Sequence, residues 1–241
     1  MITVRQWKTA RMVTAWCIAC AGMAAFAGQQ VDNAAIIQKI DAAVKARIDG
    51  IAGYTDTEYY AVFRSGDETH PVAEMTVKTT YRRDTGKSYA ILSETGSAVI
   101  RNLVLHAILE NERQINQPGV REGSWITSAN YEMQAKPGGI QQVDGRDCVA
   151  LDLTPRRKAP YLVQGTLWVD AKNGKIVQLQ GKASKSSSLL TGPTQMMRQY
   201  ADVGGFAEAT HARAESDSFL FGQTVVKIDY RDYQIQNRSG P

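Results

Sequence analysis

Residues 161–181 read YLVQGTLWVDAKNGKIVQLQG, two alternating runs hinged on Asn173-Gly174. Val163, Leu167 and Val169 fall on one side of the first run, and Gln164, Thr166 and Trp168 on the other. A side-chain period of two residues describes a strand with two unlike faces. Asn-Gly is the pair that most readily enters the left-handed conformation of a tight hairpin. The same alternation recurs along most of the chain. The sequence therefore predicts a mainly antiparallel sheet, whose work is done by one sheet face or by what covers it.

Two stretches break the strand pattern. Asp32 or Asn33 can cap a first helix, with Ile37, Ile40, Val44 and Ile48 following at spacings of three and four and Gly50 closing it. A second helix begins near Ser97. Ile100, Leu103, Val104, Ala107 and Ile108 share one face, Arg101, Glu110, Glu112 and Arg113 point elsewhere, and Pro118-Gly119 ends the run. Between the helices, residues 57–64 set Tyr59, Ala61 and Phe63 against Glu58, Tyr60, Val62 and Arg64. Met75, Val77, Thr79 and Tyr81 mark a second strand, and Tyr89 and Ile91 a third. From residue 131 onward only strands are expected: 131–135, 140–144, 147–154, 161–169, 175–183, 195–203, 206–216 and 223–235. The fold class is thus α+β, mainly β: about eleven antiparallel strands in a strongly curved sheet with helices on one face.

The front of the chain sets the compartment. Residues 1–11 carry Arg5, Lys8 and Arg11 and no acid, and MVTAWCIACAGMAAFA follows. Small residues in Ala25-Phe26-Ala27 suit a signal peptidase, so cleavage is expected after Ala27, leaving one domain over residues 28–241 in the periplasm. The apolar run is short for a membrane span. Two alternatives share this segment: an uncleaved anchor, and acylation at Cys20, where Cys17 stands in the place usually held by Leu. The leader's cations account for most of the excess of 28 Lys and Arg over 24 Asp and Glu, so the whole-chain pI near 8.9 overstates the basicity of the exported part. No clustered basic excess remains, and no nucleic-acid partner is expected. Of three cysteines only Cys148 survives cleavage, so no internal disulfide forms; its strand position reads as a small buried apolar residue.

Catalytic and metal signatures fail on inspection. Gly86-Lys87-Ser88 has the tail of a phosphate-binding loop, but Tyr81 occupies the place of its leading Gly. Residues 170–175, DAKNGK, begin like a calcium loop, yet Lys172 takes a ligand position. His70, His106 and His211 are dispersed, and no Gly-x-Ser-x-Gly elbow occurs. His211 near Ser216 and Ser218 lies along one strand, where three side chains rarely converge. No catalytic residue, metal or cofactor is expected.

The order leader, helix, three strands, helix, long meander resembles the outer-membrane lipoprotein-sorting proteins, the LolA-like group. The resemblance is carried by GRDCVALDLTPRRKAPYLVQGTLWVDAKNGKIVQL at residues 145–179, by VLHAILENE at 104–112 and by FGQTVVKIDYRDYQI at 221–235. It spans about residues 34–236 and departs after Gly205-Phe206, where Ala207 and Ala209 replace an expected aromatic and Pro. It implies an incomplete, half-open antiparallel β-barrel with helices capping its concave face around an apolar cavity, and a non-enzymatic periplasmic carrier of lipid or lipoprotein acyl chains, served by membrane-bound donor and acceptor proteins. The alternative it leaves open is a sensor that detects lipid or lipoprotein and signals through a partner. Inward apolar positions expected to line the cavity are Phe63, Met75, Val77, Leu103, Leu167, Val169, Leu179, Ile228 and Tyr230. Ordinary core is the competing reading for each. Leu189-Leu190, after the loop 184–188, is either a tip that touches membrane or cargo, or a pair tucked onto the sheet. Arg156-Arg157-Lys158 is either a lipid-phosphate contact or a solvated turn.

Overall fold

The computed structural model describes residues 31–185, 194–218 and 222–238. The expected cleavage site after Ala27, Cys20, the greater part of the 184–188 loop, and Leu189-Leu190 lie outside the described residues.

The first helix, α1 (Asn33–Gly50), starts where Asp32 caps it, its carboxylate accepting from the amides of Ala34 and Ala35. Ten strands follow: β1 (Ile51–Arg64), β2 (Ala73–Arg82), β3 (Gly86–Gly96), β4 (Tyr131–Val143), β5 (Arg146–Pro155), β6 (Val163–Asp170), β7 (Ile176–Ala183), β8 (Gln195–Val203), β9 (Phe206–Ser218) and β10 (Gly222–Asn237). All pairings are antiparallel, in the order β3-β2-β1-β10-β9-β8-β7-β6-β5-β4. The sheet is open, with β3 and β4 as its edges. Among the described residues the expected eleven strands become ten because 131–135 and 140–144 are one strand. Its pairing with β5 jumps from Ala135↔Leu151 to Ile140↔Val149, and Pro137-Gly138-Gly139 bulges out of the ladder.

One topological fact places everything else. β3 and β4 are consecutive strands yet lie at opposite edges, so the chain from 97 to 130 must cross the sheet. That crossing carries α2 (Ala98–Ile100), a π-helical turn over Arg101–Leu105, α3 (His106–Ile115) and a 3₁₀ turn over Arg121–Ser124. The π turn corrects the expected helical face. One residue is inserted, so Leu105 and Leu109 become buried beside Ile100, Val104 and Ile108 stay packed on the core as expected, and Leu103 swings out to 56% exposure.

Two apolar cores result. Under α1, Ile36 and Ile40 meet Leu151, Leu153, Leu167 and Val169 of β5 and β6. Under 98–115, Leu105 and Leu109 meet Tyr60, Val62, Met75, Val77 and Val226 of β1, β2 and β10. The β6–β7 turn seats α1. Gly174 adopts φ +71°, and a Cβ there would lie 2.4 Å from the Lys39 carbonyl carbon, so only Gly admits both the turn and the helix above it. Gly50 ends α1 for a different reason from the one expected. The residue after it is extended rather than left-handed, and a Cβ on Gly50 would strike the Phe206 ring at 2.6 Å.

Candidate functional site

The floor beneath 98–115 is the concave face of β1, β2 and β10. Register fixes which side chains belong to it: Tyr60↔Met75, Val62↔Ala73, Val62↔Val226 and Tyr60↔Ile228 are direct cross-strand pairs. Met75 and Val77 lie in this floor at 1% and 0% exposure, and Ile228 packs against it. Leu167, Val169 and Leu179 lie instead in the α1 core. Phe63 is on the opposite, convex face with Ala61 and Val225, its ring under the Lys227 ammonium at 4.8 Å. The nine expected lining residues therefore do not share one cavity. The alternation in β1 was assigned to the wrong face because both its faces carry apolar side chains: Tyr60 and Val62 on one, Ala61 and Phe63 on the other. Leu103 is removed from the floor by the π turn.

Between the two cores the concave face is polar. Glu58 of β1, buried to 1%, accepts from the Tyr60 hydroxyl and lies 3.7 Å from the Lys87 ammonium of β3. Lys87 also reaches Glu112 of α3 at 3.4 Å, and Arg198 of β8 approaches Glu112 at 3.7 Å. Burial opposes both charges. Lys87 is nonetheless held well above its ordinary value by Tyr54, Glu58, Tyr89 and Glu112, and Glu112 is held below its own by Lys87 and Arg198. Tyr230 faces this strip, half-buried, and burial pushes its phenol up beside Arg198. Further along β1, Asp56 is 1% exposed and neither carboxylate oxygen has a hydrogen-bond partner among the described residues. Desolvation first, then the charge of Glu58, pushes its pKa up to about 7. Glu208 of β9 is clamped by Arg47 of α1 through two hydrogen bonds of 2.7 Å.

Sequence reasoning missed this strip. Its members come from β1, β3, α3, β8, α1 and β9, so no local spacing announces it. The one available signal was that Tyr54, Asp56, Glu58 and Tyr60 keep strict alternation on one face of β1. In the sequence Lys87 stands out only within Gly86-Lys87-Ser88, the mimic of a phosphate-loop tail.

The remaining expectations resolve simply. Arg156 binds the Ser128 carbonyl and Glu132, while Arg157 binds the Gly123 carbonyl at 2.6 Å and stacks on Tyr161. Those two cations tie a turn to the crossing chain. His70, His106 and His211 each sit against one acid, Asp67, Glu94 and Asp229. Cys148 is fully buried, and burial pushes its thiol up. Among the described residues no group of three or more His, Cys, Asp and Glu is arranged to hold a metal, and no helix is long and apolar enough to cross a membrane. At the C-terminal end of α1, Arg47, Tyr81, Arg121 and Trp125 border a cavity of about 80 Å³. That is near half the roughly 150 Å³ that holds a benzene, so it has no room for an acyl chain.

The class of architecture is an open antiparallel half-barrel whose concave face is covered by α1 and by the 98–115 helix. Solved structures with a similar course of chain include a LolA superfamily protein of Nitrosomonas europaea, at 14% identity and TM-score 0.43, covering 88% of this chain and 96% of that one. A DUF1329 family protein of Desulfovibrio piger aligns at 14% identity and TM-score 0.44, over 86% and 94%. A domain of Vibrio parahaemolyticus described as an outer membrane lipoprotein-sorting protein aligns at 12% identity and TM-score 0.45, over 85% and 94%. No protein-family model matches the sequence, and no curated protein matches it.

Proposed function

We infer that this chain is an exported, non-enzymatic carrier of lipid or of lipoprotein acyl chains, taken up between the concave sheet and the 98–115 helix when that helix lifts. The observation that carries the reading is the manner in which this helix is held. It covers a continuous apolar floor with Ile100, Leu105 and Leu109 buried and Val104 and Ile108 half-buried against it, is interrupted by a π turn, and meets the rest of the concave face through polar links at His106, Arg101 and Glu112.

Magnitudes support an exchange. Lifting three buried and two half-buried side chains off the floor costs roughly 6–12 kcal/mol, at about 1.5–3 for each buried one and about half that for the others. A chain of about fifteen methylenes laid in their place returns roughly 10 kcal/mol, at about 0.8 each. The two are close enough for loading and release both to be accessible. In the closed form the floor is filled by the helix itself, so the binding-competent state is the opened one. Export rests on the Ala27 leader, and donor and acceptor membranes follow from carrying a water-insoluble cargo.

Native mass spectrometry of protein purified from its own envelope is the direct test, with bound lipid or acylated peptide expected. A fluorescent acyl probe should also bind, and bind more readily when Glu112→Gln loosens the helix. Lipid-free protein that also ignores the probe in both forms would sink the carrier. Labelled lipopeptide that is held but never passed between vesicles would turn the reading toward a detector.

A further inference from the structure

The geometry points to the cavity at the end of α1 as a binding site for a monoester or free hydrogen phosphate. None of its lining residues belongs to either apolar core, so this inference does not rest on the carrier reading. Three guanidinium groups, Arg47, Arg83 and Arg121, converge on a space of about 80 Å³ whose lining contains a single carboxylate, Glu122. Their side chains are 32%, 36% and 12% exposed, so they edge the cavity rather than extend into solvent. Each already has one carboxylate, Arg47 on Glu208, Arg83 at 3.7 Å from Asp49 and Arg121 on Glu122, so an incoming anion is held by the N–H groups those pairs leave over.

The donors are held in place by the fold. Arg47 spends two N–H groups on Glu208, Arg121 donates to Glu122 and to the Tyr81 hydroxyl, and Arg83 donates to the Ile48 carbonyl at 2.8 Å. A guanidinium carries five N–H groups, so each keeps others for an anion. Tyr81 lies under Arg121 at 5.9 Å and Trp125 completes the wall. A tetrahedral oxyanion fits this volume and this donor set, whereas a lipid tail does not.

Glu122 narrows the class. Its Oε1 accepts from Arg121, while its Oε2 is buried with no hydrogen-bond partner among the described residues. A carboxylate at the rim repels a fully ionised anion such as sulfate. It accepts a hydrogen bond from an anion that still carries a P–OH, as hydrogen phosphate does and as a phosphate monoester does below its second pKa of about 6.

Calorimetry on the full exported chain tests this with inorganic phosphate, sulfate and a short-chain phosphatidic acid kept below its micelle concentration. Phosphate should bind at least about tenfold more tightly than sulfate, with affinity falling as salt rises. Arg83→Gln and Arg121→Gln should each weaken phosphate by about tenfold or more, and Glu122→Gln should close the gap between the two anions. Arg83 is the more exposed of the two, so its variant keeps the test valid if Arg121→Gln fails to fold. Phosphatidic acid that binds more tightly than inorganic phosphate, and with the same arginine dependence, assigns a lipid source; equal affinity assigns free phosphate. No binding of phosphate or phosphatidic acid, equal affinity for sulfate, or indifference to the arginine variants overturns the site. Phosphatidic acid binding that ignores those variants would remove this site while leaving the carrier reading intact.

Discussion

The two helices over the concave face are attached in opposite ways. α1 is fastened along its length. The Asn33 side chain accepts from the Ala135 amide at 2.7 Å, Asp41 accepts from both the amide and the hydroxyl of Ser128, Lys39 reaches the Ala171 carbonyl at 2.8 Å, and Arg47 clamps Glu208. These bonds link α1 to β4, the crossing chain, the β6–β7 turn and β9. Residues 98–115 have no comparable set. Their polar ties run through Arg101 and His106 to Glu94 on edge strand β3, and through Glu112 to Lys87 and Arg198. Equal coverage of a sheet thus hides unequal attachment, and the proposed carrier opens at 98–115 because that segment has the fewer polar ties.

That contrast can be broken or sharpened. The largest effect is expected at Leu167, fully buried in the α1 core. Leu167→Asp should cost more than about 4 kcal/mol and unfold the whole sheet, because it places an unpaired charge in a filled interior. Urea denaturation followed by circular dichroism measures it, and a variant with near-normal midpoint would show that this side is not a solid core.

Next comes the polar strip. The folded carboxyl of Asp56 lies at about 7 against an ordinary 3.8, so the native state holds its proton more tightly than the unfolded chain does. Its contribution is fully present below about pH 4 and is lost as pH rises toward 7, on the order of 3–4 kcal/mol in all. Asp56→Asn should remove that slope and make the protein more stable than wild type at about pH 8. Parallel stability–pH curves for the two proteins would refute the assignment.

Smaller effects separate the helices directly. Asp41→Ala deletes two bonds from Ser128 and should cost about 2 kcal/mol of global stability. Glu112→Gln should leave the global midpoint nearly unchanged and lower the local opening energy of 98–115 by about 1 kcal/mol. Hydrogen exchange reads the latter as faster exchange confined to that helix. Equal protection of α1 and 98–115 in wild type would erase the distinction between roof and lid.

What could be read from the chain follows a physical line. The strands of β5 to β10, the Asp32 cap and the position of the hinge at Asn173-Gly174 were legible because each depends on residues close in sequence, although the turn spans 171–175 and of that pair only Gly174 is left-handed. The boundaries of β6 and β7 fall within a few residues of the alternating runs that announced them. The errors arose where a second region had to be present. The division of 131–144 into two strands failed because a bulge can carry one strand past Pro137-Gly138-Gly139 without ending its pairing with β5. The choice of Phe63 over Tyr60 failed because apolarity marks a face as buried without saying against what. The 3.6-residue reading of 98–115 placed Ile100, Val104 and Ile108 correctly but missed Leu105 and Leu109, because a π turn advances the helix by one residue and leaves no mark in composition.

The amino-acid sequence by itself determined that this chain makes a long antiparallel sheet with two amphipathic helices, since periodicity, capping and turn preference act within a few residues. Tertiary structure alone decided that β3 and β4 stand at opposite edges, and therefore that 97–130 must cross the face between them. From that crossing came the joining of Glu58, Lys87, Glu112 and Arg198, and the convergence of Arg47, Arg83 and Arg121 on one cavity. Electrostatic partners are chosen by distance through space, which a linear pattern does not encode until the sheet order is known.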